Sequence, residues 1–230
     1  TECVLVLGGD GTLIRAAAKL VDEKLPLIGV NLGTLGYLCE LEAANVFDAI
    51  DELMDGHYML EERMMLSAYG IKNGIQTEAK TALNDVVIHR TGALSVVNLI
   101  VSVNGEYLNT FRADGIIVST PTGSTGYNMS AGGPIVDPKA KMMLITPINA
   151  HNLNSRSIVI SADDEVMIEI GQRRSQKDET VEVSYDGDNA VGLEVGDRLV
   201  VKQAASVAKV CKLSRKSFLE ILRKKMENYN

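Results

Sequence analysis

The apolar positions along the chain fall into two regimes. In the first, continuous runs alternate with helical spacing. Cys3–Leu7 is an unbroken apolar run, the pattern of a strand covered on both faces. Leu13, Ile14, Ala17, Leu20 and Val21 then recur at helical spacing until Pro26 closes the segment. "PLIGVN", Pro26–Asn31, reads as the next strand. In "NVFDAIDELMDG", Phe47, Ile50, Leu53 and Met54 share one face of a predicted helix, and Gly56 stands where it should stop. Strand, helix and strand in this order make a βαβ unit, hence a Rossmann-like parallel sheet in an α/β domain.

After about Glu62 the regime changes. From Arg63 to Val210 short β-rich runs are punctuated by turns. "IKNGIQ" and "SVNGEYL" place Asn73-Gly74 and Asn104-Gly105 between two such runs, and both residue types tolerate the positive φ of tight hairpins. "SIVIS", "EVMIEI", "TVEVSYDGD" and "DRLVVKQ" continue the pattern. So many strands leave exposed edges unless sheets close or stack, so an all-β domain of that kind is expected. The end returns to helix. In "SRKSFLEILRKKMENY", Ser217 and Glu220 fit a capping box, and Phe218, Ile221, Leu222 and Met226 line one face. A lone terminal helix needs a partner surface, and the α/β domain is the expected one. The division is therefore an α/β domain over 1–62, rejoined by 213–230, and a β-rich domain over 63–212.

Composition narrows the function classes. The chain has 230 residues, 46% hydrophobic, enough to bury a core, and 23 Lys and Arg against 30 Asp and Glu give a formal charge of −7. An acidic surface argues against nucleic acid or an anionic membrane as partner. No apolar run approaches the ~20 residues that span a bilayer. The chain opens directly on a strand pattern, so further residues are expected upstream. Cys3, Cys39 and Cys211 lack CxxC spacing and read as reduced core thiols of a cytoplasmic protein. His57, His89 and His151 are scattered, without the spacing of a transition-metal site.

Two stretches carry candidate chemistry. "GGDGT", Gly8–Thr12, follows a strand and opens a helix. Its glycines let backbone N–H groups approach an anion, and the helix N-terminus favours a phosphate. It is neither a Walker A loop nor a GxGxxG fingerprint. Asp10 is an acid where phosphate is expected, which suits holding a cation or accepting a proton during phosphoryl transfer. It could equally cap the helix. The second stretch is "STPTGSTGYNMSAGGPIV", Ser119–Val136, rich in hydroxyls and glycine. It offers donors for a polar, planar ligand, with Tyr127 as a stacking surface; a long polar loop is the plainer alternative.

"GGDGT", "ALNDVVIHR", "FRADGIIVSTPTGSTGYNMSAGGPIV" and the terminal "LSRKSFLEILRKK" together resemble the bacterial NAD kinase family, in the same order and over essentially the whole chain. The resemblance implies an α/β N-terminal domain, a β-rich C-terminal domain and a last helix packed back on the first. It implies transfer of a phosphoryl group from ATP or polyphosphate, with Mg²⁺, to the adenosine-ribose 2′-hydroxyl of NAD. It makes Asp10 the general base, and Gly8, Gly9, Gly11 and Thr12 the phosphate cradle. It puts Tyr37 near adenine and ribose, Asn84 and Asp85 on adenine or a ribose diol, and Asp114 near the nicotinamide carboxamide. Arg112 joins that set, or pairs with Asp114. Thr125, Gly126, Tyr127, Asn128 and Ser130 wrap NAD, with Gly126 where Ala is commoner in the family. Ala150 and Asp188 fall near further contacts. A homodimer or homotetramer is implied. A lipid kinase of the diacylglycerol or sphingoid type shares "GGDGT", and a non-catalytic NAD sensor would keep Asp85 and Tyr127 without needing Asp10.

Overall fold

A computed structural model describes residues 2–33, 36–39, 41–91, 96–151, 155–172, 180–213 and 217–227. The chain divides into two compact units: Thr1–Arg63 with Asp137–Lys139 and Ser206–Asn230, and Met64–Val136 with Ala140–Ala205.

The first unit starts with β1 (Val4–Gly8), α1 (Asp10–Leu20), β2 (Leu27–Asn31), β3 (Leu41–Glu42) and α2 (Val46–Met54). β2 is central and fully buried, as its apolar run requires. It runs parallel to β1, from Val4 opposite Leu27 to Gly8 opposite Asn31, and parallel to β3. α1 buries Leu13, Ile14 and Ala17, the stripe expected from its spacing.

The face expected of α2 needs correcting. Ala49, Val46 and Leu53 pack with Ile28, Val30 and Leu41. Phe47 and Met54 are 81% and 83% exposed. The helix carries two adjacent apolar stripes, and periodicity alone does not say which one meets the sheet. Its stop is as expected. Gly56 has φ +73°, its N–H donates to the Leu53 carbonyl, and the His57 N–H donates to Glu52, the paired bonds of a Schellman motif. Cys39 and Cys211 are buried free thiols. The Cys3 and Cys211 sulfurs, remote in sequence, lie 3.6 Å apart.

The second unit is β-rich. Its elements are β4 (Met59–Lys72), β5 (Ile75–Gln76), β6 (Lys80–Ala82), β7 (Asp85–Arg90), β8 (Val97–Val103), β9 (Glu106–Ala113) and β10 (Gly115–Ser119). After these come the single-turn α3 (Tyr127–Ser130), β11 (Met142–Ile148), β12 (Ile158–Ser161), β13 (Glu165–Gly171), β14 (Thr180–Tyr185), β15 (Asp188–Glu194) and β16 (Arg198–Lys212). β4 and β16 each cross the boundary between units along their length. One antiparallel sheet has the order β12-β11-β10-β7-β14-β15. In the other, β13 lies between β16 and β8, with β9 beyond β8. A single apolar cluster draws on both sheets, with Leu99, Phe111 and Ile168 from one and Ile116, Met143 and Val181 from the other.

Asn73-Gly74 and Asn104-Gly105 have φ of +50°/+79° and +52°/+79°, both residues left-handed as tight hairpins demand. Asp186-Gly187, between β14 and β15, repeats that geometry at +51°/+81°.

The last helix, α4 (Phe218–Glu227), belongs to the first unit. Its capping box forms: the Ser217 N–H donates to Glu220 Oε2 at 3.0 Å, and the Glu220 N–H to Ser217 Oγ at 3.2 Å. Phe218, Ile221 and Leu222 are half-buried, while Met226, expected on the same face, is exposed. Lys225 Nζ sits 5.1 Å from the centre of the Tyr37 ring, a cation–π contact within the first unit. Among the described residues no helix is long and apolar enough to cross a membrane.

Candidate functional site

The residues singled out in the sequence fall into two groups, one in each unit. In the first, β1 ends at Gly8 and α1 begins at Asp10, with Gly9 as its extended N-cap. A helix leaves its first N–H groups without intrahelical partners, so the Asp10 and Gly11 amides stand at a positive dipole end, while the Thr12 N–H turns back to the Gly9 carbonyl at 3.0 Å. Any Cβ at Gly8 would strike the Thr12 hydroxyl, so the turn needs glycine there.

Asp10 does not cap its own helix. Its carboxylate reaches across to the segment after β2. Oδ2 accepts the Tyr37 N–H at 2.6 Å, and Oδ1 accepts those of Leu38 and Cys39 at 3.1 and 3.0 Å. A Cβ at Gly36 would collide with this carboxylate, so that glycine is the clearance the lashing needs. The Cys39 thiol beside it is held protonated, its pKa pushed up to about 12 by burial and then by the Asp10 charge and hydrogen bond.

In the second unit a cavity of about 650 Å³ is bordered by Asn84, Asp85, Asp114 and Tyr127, four residues chosen from sequence. His89, Arg90, Asn149 and Asp186 also line it and were not foreseen. Asp186 organises the wall from its hairpin turn. Its carboxylate accepts the N–H groups of Leu83, Asn84 and Asp85 at 2.7, 2.7 and 3.1 Å, and its own N–H donates to the Asp85 carbonyl. The "DG" pair of "SYDGD" was the available signal, because Asp tolerates the left-handed turn that points its side chain back.

Asp85 is 6% exposed, and burial, then the neighbouring Asp186 charge, raise its pKa to about 7. Asp186 is also raised, chiefly by burial and against the three N–H bonds it accepts. Asp114 goes the other way. Hydrogen bonds from Asn149 and Arg90 hold its carboxyl below the usual range. Asn84 Oδ1 is buried and has no hydrogen-bond partner, an unpaired acceptor within the cavity wall.

The hydroxyl-rich loop is built differently from its sequence reading. Ser119, Thr120 and Ser124 are buried and serve the protein itself. Thr120 Oγ1 donates to the Leu83 carbonyl at 2.7 Å, and Ser119 Oγ to that of Asn84 at 3.2 Å. Ser124 Oγ bonds both the N–H and the carbonyl of Val136. Asn128 is 0% exposed; its Nδ2 donates to Ser124 and Pro134 carbonyls, and its Oδ1 accepts the Thr146 hydroxyl at 2.6 Å. Its amide therefore closes the loop. Tyr127, 47% exposed, borders the cavity, while Thr125 is half-buried and Ser130 exposed. Gly123 fits where any Cβ would strike the Asn84 carbonyl.

Seven residues expected around NAD lie outside the cavity lining: Thr125, Gly126, Asn128 and Ser130 of the loop, and Arg112, Ala150 and Asp188 elsewhere. Arg112 is exposed on β9, on the face opposite Phe111 and Ala113, and the ion-pair partner of Asp114 is Arg90. Ala150 packs against the core, and Asp188 is exposed after the Asp186-Gly187 turn. Among the described residues no three His, Cys, Asp or Glu side chains converge as a protein metal cage would require.

Two family models match the chain. Residues 1–58 match the ATP-NAD kinase N-terminal domain and residues 83–213 the ATP-NAD kinase C-terminal domain. The chain is 64% identical over 230 residues to a NAD kinase of Agathobacter rectalis, covering 100% of this chain and 80% of that protein. It is 46% identical over 235 residues to one from Lachnospira eligens, covering 98% and 80%. A yeast NADH kinase complexed with NADH superposes with a TM-score of 0.92 at 27% identity, over 99% of this chain and 67% of that one. An Archaeoglobus fulgidus NAD kinase in complex with ATP shares the fold, with a TM-score of 0.80 at 24% identity over 97% and 82%. The chain belongs to the ATP-NAD kinase family.

Proposed function

We propose that this chain transfers a phosphoryl group from ATP to the 2′-hydroxyl of the adenosine ribose of NAD, giving NADP. The observation that carries the reading is the cavity of the second unit, where Asn84, Asp85, Asp114 and Tyr127 meet. A dinucleotide offers what this wall lacks. Its amino and amide groups supply N–H donors for the Asp114 carboxylate, and a ribose diol suits Asp85. An apolar lipid tail would leave these polar groups unpaired, which disfavours the lipid kinase alternative.

In the reaction the donor phosphates lie at the amides opening α1, where Gly8, Gly9, Gly11 and Thr12 leave room for them. Mg²⁺ enters with the triphosphate as part of that substrate and offsets its charge. A secondary alcohol is a poor nucleophile at neutral pH, and Asp10 takes the 2′-hydroxyl proton as attack proceeds. Asp10 Oδ2 accepts one backbone N–H where Oδ1 accepts two. The three N–H bonds hold the carboxylate in one orientation, which general-base catalysis requires. Thr125 and Ser130 contribute hydroxyls at the accessible side of the loop, and Asn128 keeps that loop folded. Arg112, Ala150 and Asp188 lie outside the cavity lining and take no part in this reading; the assembly we assign is a homodimer or homotetramer. The cell compartment we assign is the cytoplasm.

The test is formation of NADP from NAD, ATP and Mg²⁺, read with an NADP-specific dehydrogenase. Saturable NADP formation supports the reading. NAD binding without turnover would favour a sensor role instead.

A further inference from the structure

The chain's two Asn-Gly pairs, Asn73-Gly74 and Asn104-Gly105, share one left-handed turn shape and are both exposed, but their side chains are held differently. Asn104 is tied at both ends of its amide. Its Nδ2 donates to Asp164 Oδ1 at 2.7 Å, and its Oδ1 accepts the Glu165 N–H at 2.9 Å. The Asn73 N–H donates to Asp197 Oδ1 at 3.3 Å, but among the described residues nothing bonds the Asn73 side-chain amide. The Gly74 N–H has no partner among them either, and the space around Gly74 is open. The flanking strands differ in the same sense. β5, which follows the Asn73 turn, is two residues long, exposed at both, and pairs with β4 through Ile75 and Gln76. One more backbone bond, from the Thr77 N–H to the Gly70 carbonyl, closes that hairpin. Around Asn104, β8 pairs with β9 along all of its seven residues.

We infer that Asn73-Gly74 is a site of spontaneous modification, at which asparagine converts to aspartate and isoaspartate, while the identical pair Asn104-Gly105 is protected by its tether. In the reaction the Gly74 nitrogen attacks Asn73 Cγ and closes a cyclic imide as the Cγ–Nδ2 bond breaks. Nδ2 leaves as ammonia and carries away the proton that the Gly74 nitrogen loses. Water then opens the imide at either carbonyl, so a carboxylate replaces the amide. Glycine favours the attack because no Cβ shields its nitrogen. The side chain must swing over its own backbone, and the turn must open locally to let it. Asn73 breaks no side-chain hydrogen bond in doing so and disturbs only a two-residue strand. Asn104 must break two, one of them to a carboxylate, inside a long ladder. The product places a new carboxylate next to Asp197, and isoaspartate lengthens the turn, which shifts Ile75 and Gln76 out of register with β4. Neither Asn73 nor Asp197 lines the cavity.

The experiment incubates the folded wild type and Asp164→Ala in mildly alkaline buffer for days, beside the same proteins in urea. Peptide mapping with mass spectrometry then measures deamidation and isoaspartate at each pair. In the folded wild type Asn73 should react at least about tenfold faster than Asn104. In urea the two should react at similar rates, because the tether and both hairpins are gone. Asp164→Ala should speed the reaction of Asn104 by about fivefold or more and leave that of Asn73 unchanged. The wild-type comparison carries the test alone if that variant fails to fold. Equal rates at the two pairs in the folded wild type, or a faster Asn104, overturn the inference. So does an unmodified Asn73 in folded protein whose urea sample reacts. An unaccelerated Asn104 in folded Asp164→Ala overturns the tether as the source of protection.

Discussion

The two glycine-rich loops look alike in sequence and work in opposite ways. Gly8–Thr12 leaves backbone amides open at the start of α1, while its one acidic side chain lashes down a segment some thirty residues away. Ser119–Val136 turns most of its polar side chains inward, so that Ser119, Thr120, Ser124 and Asn128 fasten the loop to Leu83, Asn84 and its own return path. In the proposed function both loops serve a site, the first by its main chain and the second mainly by the wall it supports. A polar residue in a motif therefore has two readings, ligand contact or scaffold, and burial decides between them.

The contrast can be broken at its strongest point by Asp10→Asn. The amide keeps the size of the side chain but cannot take a proton, and its NH₂ must face a backbone donor. Turnover should fall by about 10³-fold or more, with NAD affinity within a few-fold, measured by steady-state kinetics and calorimetry. Retained kcat would remove Asp10 from the base role.

Asn128→Ala tests the scaffold side. It leaves Thr146, Ser124 and Pro134 without their buried partner, and should cost about 3 kcal/mol of stability by denaturant unfolding. A loss below ~1 kcal/mol would mean the loop does not depend on this closure.

Asp85→Asn sharpens the comparison by pH. The Asp85 carboxyl is ionised in the unfolded chain above about pH 4 but keeps its proton in the fold until about pH 7. Folding takes up a proton in that window, so stability attributable to Asp85 falls as pH rises through it. The variant should therefore be more stable than the wild type at pH 8, on the order of 2 kcal/mol, and the difference should vanish near pH 4. Thermal melts across that range measure it.

Gly126→Ala is the smallest effect. A Cβ there would lie 3.3 Å from the Gly123 carbonyl oxygen, a tight but tolerable contact at φ −97°. The expected cost is under ~1 kcal/mol with kcat unchanged.

The parts of the fold that sequence revealed are those set by local chemistry. Asn-Gly pairs need left-handed φ, Gly56 terminates α2, and Ser217 with Glu220 caps α4; each is a short-range demand visible in a few letters. What escaped was decided at long range. Which apolar stripe of α2 meets β2 depends on the sheet, so Phe47 and Met54 were misread. Asp186 acts on residues about a hundred positions away, and Arg90 replaces Arg112 as partner of Asp114 because β7 lies beside β10. Strand register is invisible until pairing is known. Family resemblance supplied Asn84, Asp85, Asp114 and Tyr127, which share one cavity, but could not say that Asn128 faces inward.

The claim most in need of test is that the second unit's cavity seats NAD. The direct measurement is calorimetric titration of NAD, with ATP as control, into the wild type and Asp85→Ala. The account predicts that NAD binding weakens at least about tenfold in the variant while ATP binding stays within about twofold. Unchanged NAD affinity in a folded Asp85→Ala protein would contradict it.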